Sequence, residues 1–361
     1  MPTTLGRPQS TIERASFNGS ASEYFGIWIV NILLTIVTLG IYSAWAKVRR
    51  RRYFYGNTEL DGFTFDYHAT GKQILIGRLI VFALFVLYNI FLTVLPLVGL
   101  LIFVAMIVLL PFMIARSLRF NARVTSYRNV RFDFNGRAGG AFKAFLLGSI
   151  VAGVSLGLLA PIASRWTYRY VINNLAYGDR PFATDVKLGN LYRGALVPFL
   201  MVIGGLLILI PIGALLVFPM LAQIQDGTFA MSDEQQVMLL VGGFYLAMIP
   251  LILLYVIAGL VYRITMRNIA LSATTVDARH RLVSTVPRFG YAFVVITNLI
   301  VTILTLGLMR PWAAVREWRY VAVNFGLIPD GDLSVAVAGV QQSGSAFSAE
   351  FLDVDGFDFG F

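Results

Sequence analysis

The hydrophobic pattern divides the chain into long apolar runs separated by short segments rich in arginine. Four runs are long enough for the roughly 20 residues that cross a hydrocarbon core. They occupy residues 74–95, 97–115, 195–222 and 236–262. Because only Pro96 separates the first two, the pattern predicts an antiparallel hairpin of helices over about 72–95 and 97–120. The other two predict a second hairpin of the same kind.

Three shorter apolar runs share one pattern around a Leu-Gly pair, and they occupy residues 24–46, 141–163 and 289–312. Residues 24–57 match residues 291–324 without a gap, with 15 of 34 positions identical. A weaker copy surrounds the Leu-Gly pair of the middle run. Ungapped similarity of this length indicates a duplicated structural unit. The sequence therefore predicts an internal three-fold repeat.

Arginines lie on both sides of these three shorter runs, whereas the loop between the last two long runs contains acidic residues and no Lys or Arg. By the positive-inside rule, the acidic loop and the Pro96 turn face the periplasm and the arginine-rich segments face the cytoplasm. We expect each Leu-Gly unit to enter the bilayer, turn near Gly40, Gly157 or Gly307, and leave on the cytoplasmic side. The alternative is that each unit spans straight and some arginines lie outside.

Short alternating segments predict strands outside the bilayer. Residues 58–67 alternate apolar and polar positions around Asp61-Gly62, a strong hairpin signal. Residues 130–134 and 351–359 alternate in the same way. The predicted fold is thus an all-α polytopic membrane protein with re-entrant or kinked Leu-Gly units and only short cytoplasmic β hairpins.

The repeats also suggest how the chain is divided. The expected segments are a flexible tail, a first unit with its helix pair, a second unit with its helix pair, a third unit and a polar C-terminal tail. Their boundaries are 1–16, 17–133, 134–285, 286–340 and 341–361.

Composition supports a membrane location. Hydrophobic residues make up 57% of the 361 positions, and the mean hydropathy is +0.74, too apolar for a soluble globule. The polar N-terminus lacks the apolar core of a signal peptide, so no cleaved leader is expected. The absence of cysteine excludes disulfides and thiolate sites. We attribute the net charge of +10 to cytoplasmic loops and anionic headgroups rather than to nucleic acid.

An Arg-Tyr-x-x-x-Asn element ends each unit and is the best candidate for binding an anion or a lipid headgroup. Three such sets around a pseudo-threefold centre could present guanidinium and amide donors to a phosphate or carboxylate. The alternative is structural: arginine sets the topology, tyrosine anchors at the interface and asparagine caps the helix. The candidate residues are Arg49, Arg52, Tyr53, Asn57, Arg169, Tyr170, Asn174, Arg316, Arg319, Tyr320 and Asn324.

Polar residues inside the first and third apolar runs form a candidate polar path, with hydrogen bonding between packed helices as the alternative. These residues are Asn31, Thr35, Asn298 and Thr302. We find no catalytic constellation, no metal-ligand spacing and no phosphate-binding loop. No cofactor and no enzyme activity are therefore expected.

Nearly the whole chain, from Phe17 to about residue 340, resembles one known family, and the first unit carries the most specific part of the pattern. The stretch from Thr35 to Arg50, TIVTLGIYSAWAKVRR, is followed by Tyr53, Asn57, Asp61-Gly62 and the residues FDYH at 65–68. This pattern is similar to the YjgN family of bacterial inner-membrane proteins, a domain of unknown function. The resemblance implies a bacterial inner-membrane location and carries over no activity and no catalytic residue.

Two functions agree with these features. The first is a channel or transporter-like protein for a small anionic solute, in which the repeated units surround a polar pathway. The second is a membrane-organising protein that binds anionic phospholipid through basic interfacial helices. The expected partners are membrane lipids and a small anionic solute, with no nucleic acid.

Overall fold

A computed structural model describes residues 12–225 and 232–330 of the protein. The described helices are α1 (Ala21–Val37), α2 (Ser43–Gly56), α3 (Gly71–Val94), α4 (Pro96–Arg123), α5 (Ala138–Ala141), α6 (Gly148–Val154), α7 (Ala160–Asn173), α8 (Leu188–Gln225), α9 (Asp233–Ser272), α10 (Arg288–Leu304) and α11 (Arg310–Ala322). A π-helical segment, Phe142–Leu147, joins α5 to α6.

Short strands separate these helices. They are β1 (Glu13–Arg14), β2 (Ser16–Phe17), β3 (Thr58–Leu60), β4 (Phe63–Tyr67), β5 (Thr125–Tyr127), β6 (Val130–Phe134), β7 (Leu175–Tyr177), β8 (Arg180–Thr184), β9 (Thr274–Val276), β10 (His280–Ser284) and β11 (Phe325–Ile328). The first of them lies within the segment that the sequence assigned to the N-terminal tail. The predicted strand at 351–359 lies outside the described residues.

All these strands join into one antiparallel sheet of 11 strands. Its two edge strands, β1 and β2, are separated in the chain only by Ala15, so the sheet curls into a nearly closed barrel. The Ala15 amide donates to the Phe325 carbonyl at 2.9 Å and continues the ladder. The prediction of an all-α fold with only short hairpins is therefore wrong. Closure protects strand edges that would otherwise expose unpaired backbone groups.

Connections around the barrel alternate between its two rims. Tight turns join β3 to β4, β5 to β6, β7 to β8 and β9 to β10. Several turn residues adopt positive φ, including Asp61 at 49° and Gly62 at 73°, as a tight hairpin turn requires. The remaining connections are helical hairpins, and in an antiparallel meander they all fall at the opposite rim. The predicted hairpin around Asp61-Gly62 is confirmed.

Five helical hairpins therefore stand on one rim of the barrel. They are α1–α2, α3–α4, α5–α7, α8–α9 and α10–α11. Each packs against the next, and α11 packs against α1. The hairpins thus form a closed ring, in which the two long hairpins alternate with short ones except where the first and last short hairpins meet.

The three short hairpins turn at the Leu-Gly pairs. Leu39, Leu156 and Leu306 have φ values of 50°, 51° and 49°, and the glycines that follow have 93°, 89° and 91°. Glycine tolerates this left-handed conformation at a helix end without strain. The Tyr53 hydroxyl donates to the Ser20 carbonyl at 2.7 Å, so α2 returns antiparallel to the start of α1. Both ends of this hairpin thus lie at the barrel.

The two long hairpins supply the membrane spans. Four described helices are long and apolar enough to cross a bilayer, as the hydrophobic pattern predicts. Their spanning segments are Gly71–Val94, Pro96–Arg123, Leu188–Leu215 and Val241–Ser272. Gly99 lets α4 approach α3 closely, because a Cβ placed there would lie 2.5 Å from the Leu92 Cα.

Side chains fill the barrel interior. Its core includes Leu60, Tyr127, Tyr177 and Leu282, each less than a tenth exposed. The Tyr127 hydroxyl donates to the Leu60 carbonyl at 2.6 Å, and the Tyr177 hydroxyl donates to the Tyr127 carbonyl at 2.9 Å. Burial raises the pKa of both phenols and keeps them neutral. The barrel is therefore a packed core and not an open pore.

A histidine in β10 holds the chain just after the last strand. The Asp330 amide donates to Nδ1 of His280 at 3.1 Å, so the ring must be neutral at that nitrogen. Burial is the largest influence and lowers the His280 pKa; nearby Arg279 lowers it further, whereas Asp277 and Asp330 raise it. A protonated ring would lose this hydrogen bond.

We expect this contact to weaken with acid. Because the folded-state pKa lies below the unfolded value of about 6.5, the stabilisation is present above pH 6.5 and is lost as the pH falls below it. Hydrogen exchange should show a lower protection factor for the Asp330 amide at pH 5 than at pH 8. In His280→Phe the protection should be low at both pH values; an unchanged pH dependence in that variant would contradict the assignment.

Candidate functional site

A cavity of about 880 Å³ lies where the ring of hairpins meets the barrel. Its walls come from α2, α9, α10 and α11, and barrel residues such as Phe65 and Phe132 contribute the adjoining surface. Most of the lining side chains are apolar, among them Phe54, Ile264 and Leu299. The cavity is thus an apolar chamber into which a few polar groups converge, a common form of small-molecule site.

Four arginines line this chamber: Arg50 on α2, Arg263 and Arg267 on α9, and Arg310 at the start of α11. Within residues 12–225 and 232–330, none of them forms an ion pair with a carboxylate. Arg267 donates from Nη1 to the Ser284 hydroxyl at 3.0 Å, a neutral partner. Arg50, Arg263 and Arg310 are exposed to solvent and Arg267 is half-buried, so water screens part of the repulsion among the four charges. An anion entering the chamber would reduce the repulsion that remains.

One carboxylate shares the chamber. The Tyr291 hydroxyl donates to Oε1 of Glu317 at 2.9 Å, and Tyr291 is only 3% exposed. Asn298 and Thr302, both predicted for the polar path, also line the cavity. Among the residues that the structure describes, four guanidinium groups and one carboxylate line the chamber, a formal charge of +3. The lining is therefore suited to a negatively charged ligand.

The asparagine of each Arg-Tyr-x-x-x-Asn element caps its helix. The Nδ2 atoms of Asn57, Asn174 and Asn324 donate to the carbonyls of the tyrosines four residues earlier at 2.8, 2.7 and 2.8 Å. Tyr170 donates to the Arg137 carbonyl at 3.1 Å, as Tyr53 does to Ser20. Tyr320 packs closely on Gly290. These contacts match the structural interpretation of the element.

Arg52 and Arg319 bind backbone carbonyls where strands lead into helices. Arg52 donates from Nε to the Tyr67 carbonyl and from Nη2 to the Ala69 carbonyl, both at 3.2 Å. Arg319 donates from Nη2 to the Gly19 carbonyl at 2.7 Å. Each arginine thus ties the second helix of one hairpin to the start of the next hairpin in the ring.

The same kind of bond recurs at the other three links. Arg119 donates to the Phe134 and Gly136 carbonyls, both at 3.2 Å. Arg165 donates to the Val186 carbonyl at 2.9 Å, and Asn268 donates to the Val286 carbonyl at 2.8 Å. All five neighbouring pairs of hairpins are thereby tied by one side chain, which closes the ring. Arg169 is exposed and makes no hydrogen bond with the described part of the chain.

In the first and third units, an arginine predicted for the anion site forms a hydrogen bond with an asparagine predicted for the polar path. Arg49 donates to Oδ1 of Asn31 at 3.4 Å, and Arg316 donates to Oδ1 of Asn298 at 2.9 Å. The hydroxyls of Thr35 and Thr302 donate to the carbonyls of Asn31 and Asn298 at 2.6 and 2.7 Å. The middle unit lacks this pairing, because Gly148 and Trp166 occupy the corresponding positions.

Aligning the repeat units with one another does not identify most of the charged residues that line the chamber. Arg50 corresponds in the third unit to Glu317, so a search for matching residues passes over both. Arg263 and Arg267 follow a long apolar run, and arginines in that position ordinarily mark the cytoplasmic end of a membrane span. Their spacing of four places them on one face of α9, which is the sequence feature that could have paired them. Only the ring brings that face against α2 and α11.

Known proteins similar to this chain are bacterial. The model of a family described as "Bacterial protein of unknown function (DUF898)" matches residues 12–354. Inner membrane protein YjgN of Escherichia coli O157:H7 is 25% identical over 92% of this chain and 93% of its own length. Inner membrane protein YjgN of Salmonella typhimurium is 28% identical over 85% of this chain and 86% of its own.

The Inner membrane protein YjgN of Escherichia coli K12 is 38% identical over a shorter region, 41% of this chain and 38% of its own length. No solved structure gives a significant match. With four apolar helices long enough to span, these similarities identify a multi-pass protein of the bacterial inner membrane.

Proposed function

The chain belongs to the DUF898 family of bacterial proteins of unknown function, and we propose that it binds a small organic anion in the central chamber and carries it through the inner membrane. The proposed activity is non-enzymatic and uses no cofactor and no nucleic acid. The observation that supports it is the set of four arginines around one cavity, none of which forms an ion pair with a carboxylate in the described part of the chain.

Charge is the first argument for an anion. Arg50, Arg263, Arg267 and Arg310 come from three helices, and the fold brings them together around a largely apolar space. Guanidinium groups bind carboxylates and phosphates through paired hydrogen bonds. Arg267 is half-buried and the other three stay exposed, so a ligand in the chamber can reach their donors. A carboxylate or phosphate ligand fits this arrangement best.

The apolar lining is the argument for an organic ligand. A volume of about 880 Å³ is within the usual range for small-molecule pockets. Aromatic and aliphatic side chains such as Phe54, Ile264 and Trp318 would leave an inorganic ion poorly enclosed. An anion with an apolar body would bury that body against them while its charged end meets the arginines.

The packed barrel favours a carrier over a permanently open channel. Tyr127 and Tyr177 fill the barrel interior with their hydroxyls bonded to backbone carbonyls. An ion leaving the chamber along the barrel axis would have to displace this core. Passage would then require a change of conformation.

Isothermal titration calorimetry on the purified full chain tests the binding step. The probes are octanoate, octyl phosphate and inorganic phosphate. We expect octanoate or octyl phosphate to bind more tightly than inorganic phosphate, and the double variant Arg263→Gln/Arg267→Gln to weaken binding at least about tenfold, since one charge-assisted hydrogen bond contributes roughly 1.5–3 kcal/mol. Arg169→Gln, which removes an exposed arginine outside the chamber, is the matched control.

Equal binding by wild type and the double variant would refute the chamber as the site. Uptake of the bound probe into proteoliposomes then tests the transport step separately. Wild-type protein should accelerate uptake and the double variant should not. Binding without any accelerated uptake would retain the site and reject the carrier.

A further inference from the structure

A second pocket lies on the opposite side of α11 from the central chamber. It has a volume of about 410 Å³, and its lining includes Ala21, Trp312, Arg316, Arg319 and Tyr320. The chamber is lined by Ala314, Trp318 and Val321, which lie two positions after Trp312, Arg316 and Arg319. Positions two apart on a helix point in nearly opposite directions. The pocket therefore opens on the outer side of the ring.

Both arginines of this pocket are held by neutral partners. Arg316 donates to the hydroxyl of Thr297 at 2.7 Å and to Oδ1 of Asn298 at 2.9 Å. Arg319 donates to the Gly19 carbonyl at 2.7 Å. Neither forms an ion pair with any residue of the described ranges. Each guanidinium has five donors, so donors and both charges remain for an anion.

One residue difference between ring positions accompanies this pocket. In the first unit the corresponding tryptophan, Trp45, lies on Gly71 at the start of α3, and a Cβ there would come within 2.5 Å of its ring. The next hairpin after α11 begins instead with Ala21. Ala21 and Trp312 both line the pocket, and Trp312 is 37% exposed.

The surroundings of the pocket resemble a membrane interface. Trp312 lies beneath the Arg316 guanidinium, 5.1 Å from carbon to ring centre, and Tyr320 is beside it. Tryptophan, tyrosine and arginine together are typical of the headgroup level of a bilayer. On α10, Phe289 and Phe293 share a helix face with Thr297, which accepts a hydrogen bond from Arg316, and they are 54% and 63% exposed. They offer a surface for an acyl chain.

We infer that this pocket binds the phosphate headgroup of an anionic phospholipid, with Arg316 and Arg319 on the phosphate and Trp312 and Tyr320 against the glycerol region. These two charges, which have no ion-pair partner within residues 12–225 and 232–330, select an anionic over a zwitterionic lipid. The exposed phenylalanines of α10 distinguish a lipid from a free phosphate ion. This site is separate from the chamber and does not depend on the carrier proposal.

Native mass spectrometry of the full chain tests this site. Protein is released from nanodiscs that contain equal amounts of phosphatidylglycerol and phosphatidylethanolamine. We expect wild type to retain one phosphatidylglycerol molecule. Arg316→Gln/Arg319→Gln should retain it roughly fivefold less for each charge removed. Ala21→Phe, which fills the pocket and leaves its charge unchanged, should also lower retention.

Arg169→Gln and Arg263→Gln/Arg267→Gln are the controls and should retain the lipid as wild type does. Unchanged retention in Ala21→Phe would overturn the site even if the arginine variant fails to fold. Loss of the lipid only in the Arg263/Arg267 variant would place it in the chamber instead. Full displacement by millimolar inorganic phosphate would show that the pocket takes a free ion and would likewise overturn the inference.

Discussion

Gly99→Ala should lower the stability of the protein by about 3 kcal/mol, the upper part of the usual range for overpacking. The ideal Cβ at this position would lie 2.5 Å from Cα and 2.6 Å from N of Leu92. Because these are backbone atoms, no side-chain rotation relieves the contact. α3 and α4 would have to separate, and small residues at such crossings are what allow membrane helices to pack closely.

This effect is measured by heating the detergent-solubilised protein and following its unfolding by size-exclusion chromatography of the heated samples. Gly204→Ala in α8 is the matched control: it is also a glycine in a spanning helix, but a Cβ there meets no atom within 4 Å. It should be neutral or slightly stabilising, because alanine favours a helix over glycine. Equal melting temperatures for the two variants would show that the approach of α3 to α4 is looser than described.

Arg119→Met should be the most destabilising of the arginine substitutions at the hairpin links. Its guanidinium bonds two carbonyls of the segment between β6 and α5, at Phe134 and Gly136, both at 3.2 Å. Loss of two charge-assisted bonds costs roughly 2–4 kcal/mol for this half-buried group. Arg119→Lys should recover only part of that, because an ammonium cannot make the fork-shaped pair of bonds.

The same unfolding assay compares Arg119→Met with Arg169→Met, since the latter removes an exposed arginine near the end of α7. We expect the control to melt with wild type. Arg52→Met loses two bonds of the same length, but its exposure should make the effect smaller. If Arg119→Met melts with wild type as well, the carbonyl bonds do not hold the ring together.

The spanning helices follow from local sequence. A hydrocarbon core needs about 20 apolar residues, and the run ending before Pro96 satisfies this without any information about neighbours. The structure places α3 at Gly71–Val94 and α4 at Pro96–Arg123, close to the predicted 72–95 and 97–120. The Leu-Gly turns are equally local, since glycine accepts the positive φ that ends each helix.

The barrel does not follow from local sequence. Alternation predicted strands at 58–67 and 130–134, but most of the other strands are only two to four residues long, too short for such a pattern to distinguish them from loops. Their partners are often far away in the chain. His280–Ser284 pairs with Phe325–Ile328, and Glu13–Arg14 pairs with that same strand, where the barrel nearly closes. Such pairing depends on where the helical hairpins place the strand ends.

The candidate site shows the same division. Asparagine capping at Asn57, Asn174 and Asn324 acts within four residues, so the spacing in the sequence already contains that contact. The chamber instead unites Arg50 with Arg263 and Arg310, which are far apart in the chain. Comparison of repeats favours residues that recur, whereas the chamber uses positions that differ between copies, such as Arg50 and Glu317.

The sequence by itself thus determined the membrane location, the spanning helices, the Leu-Gly turns and the caps. Each of these depends on hydrophobicity or on contacts within one turn of helix. Only the tertiary structure decided that the strands form a barrel, that five hairpins form a ring and that four arginines face one chamber. Those outcomes depend on packing between segments brought together from distant parts of the chain, and no local pattern contains that information.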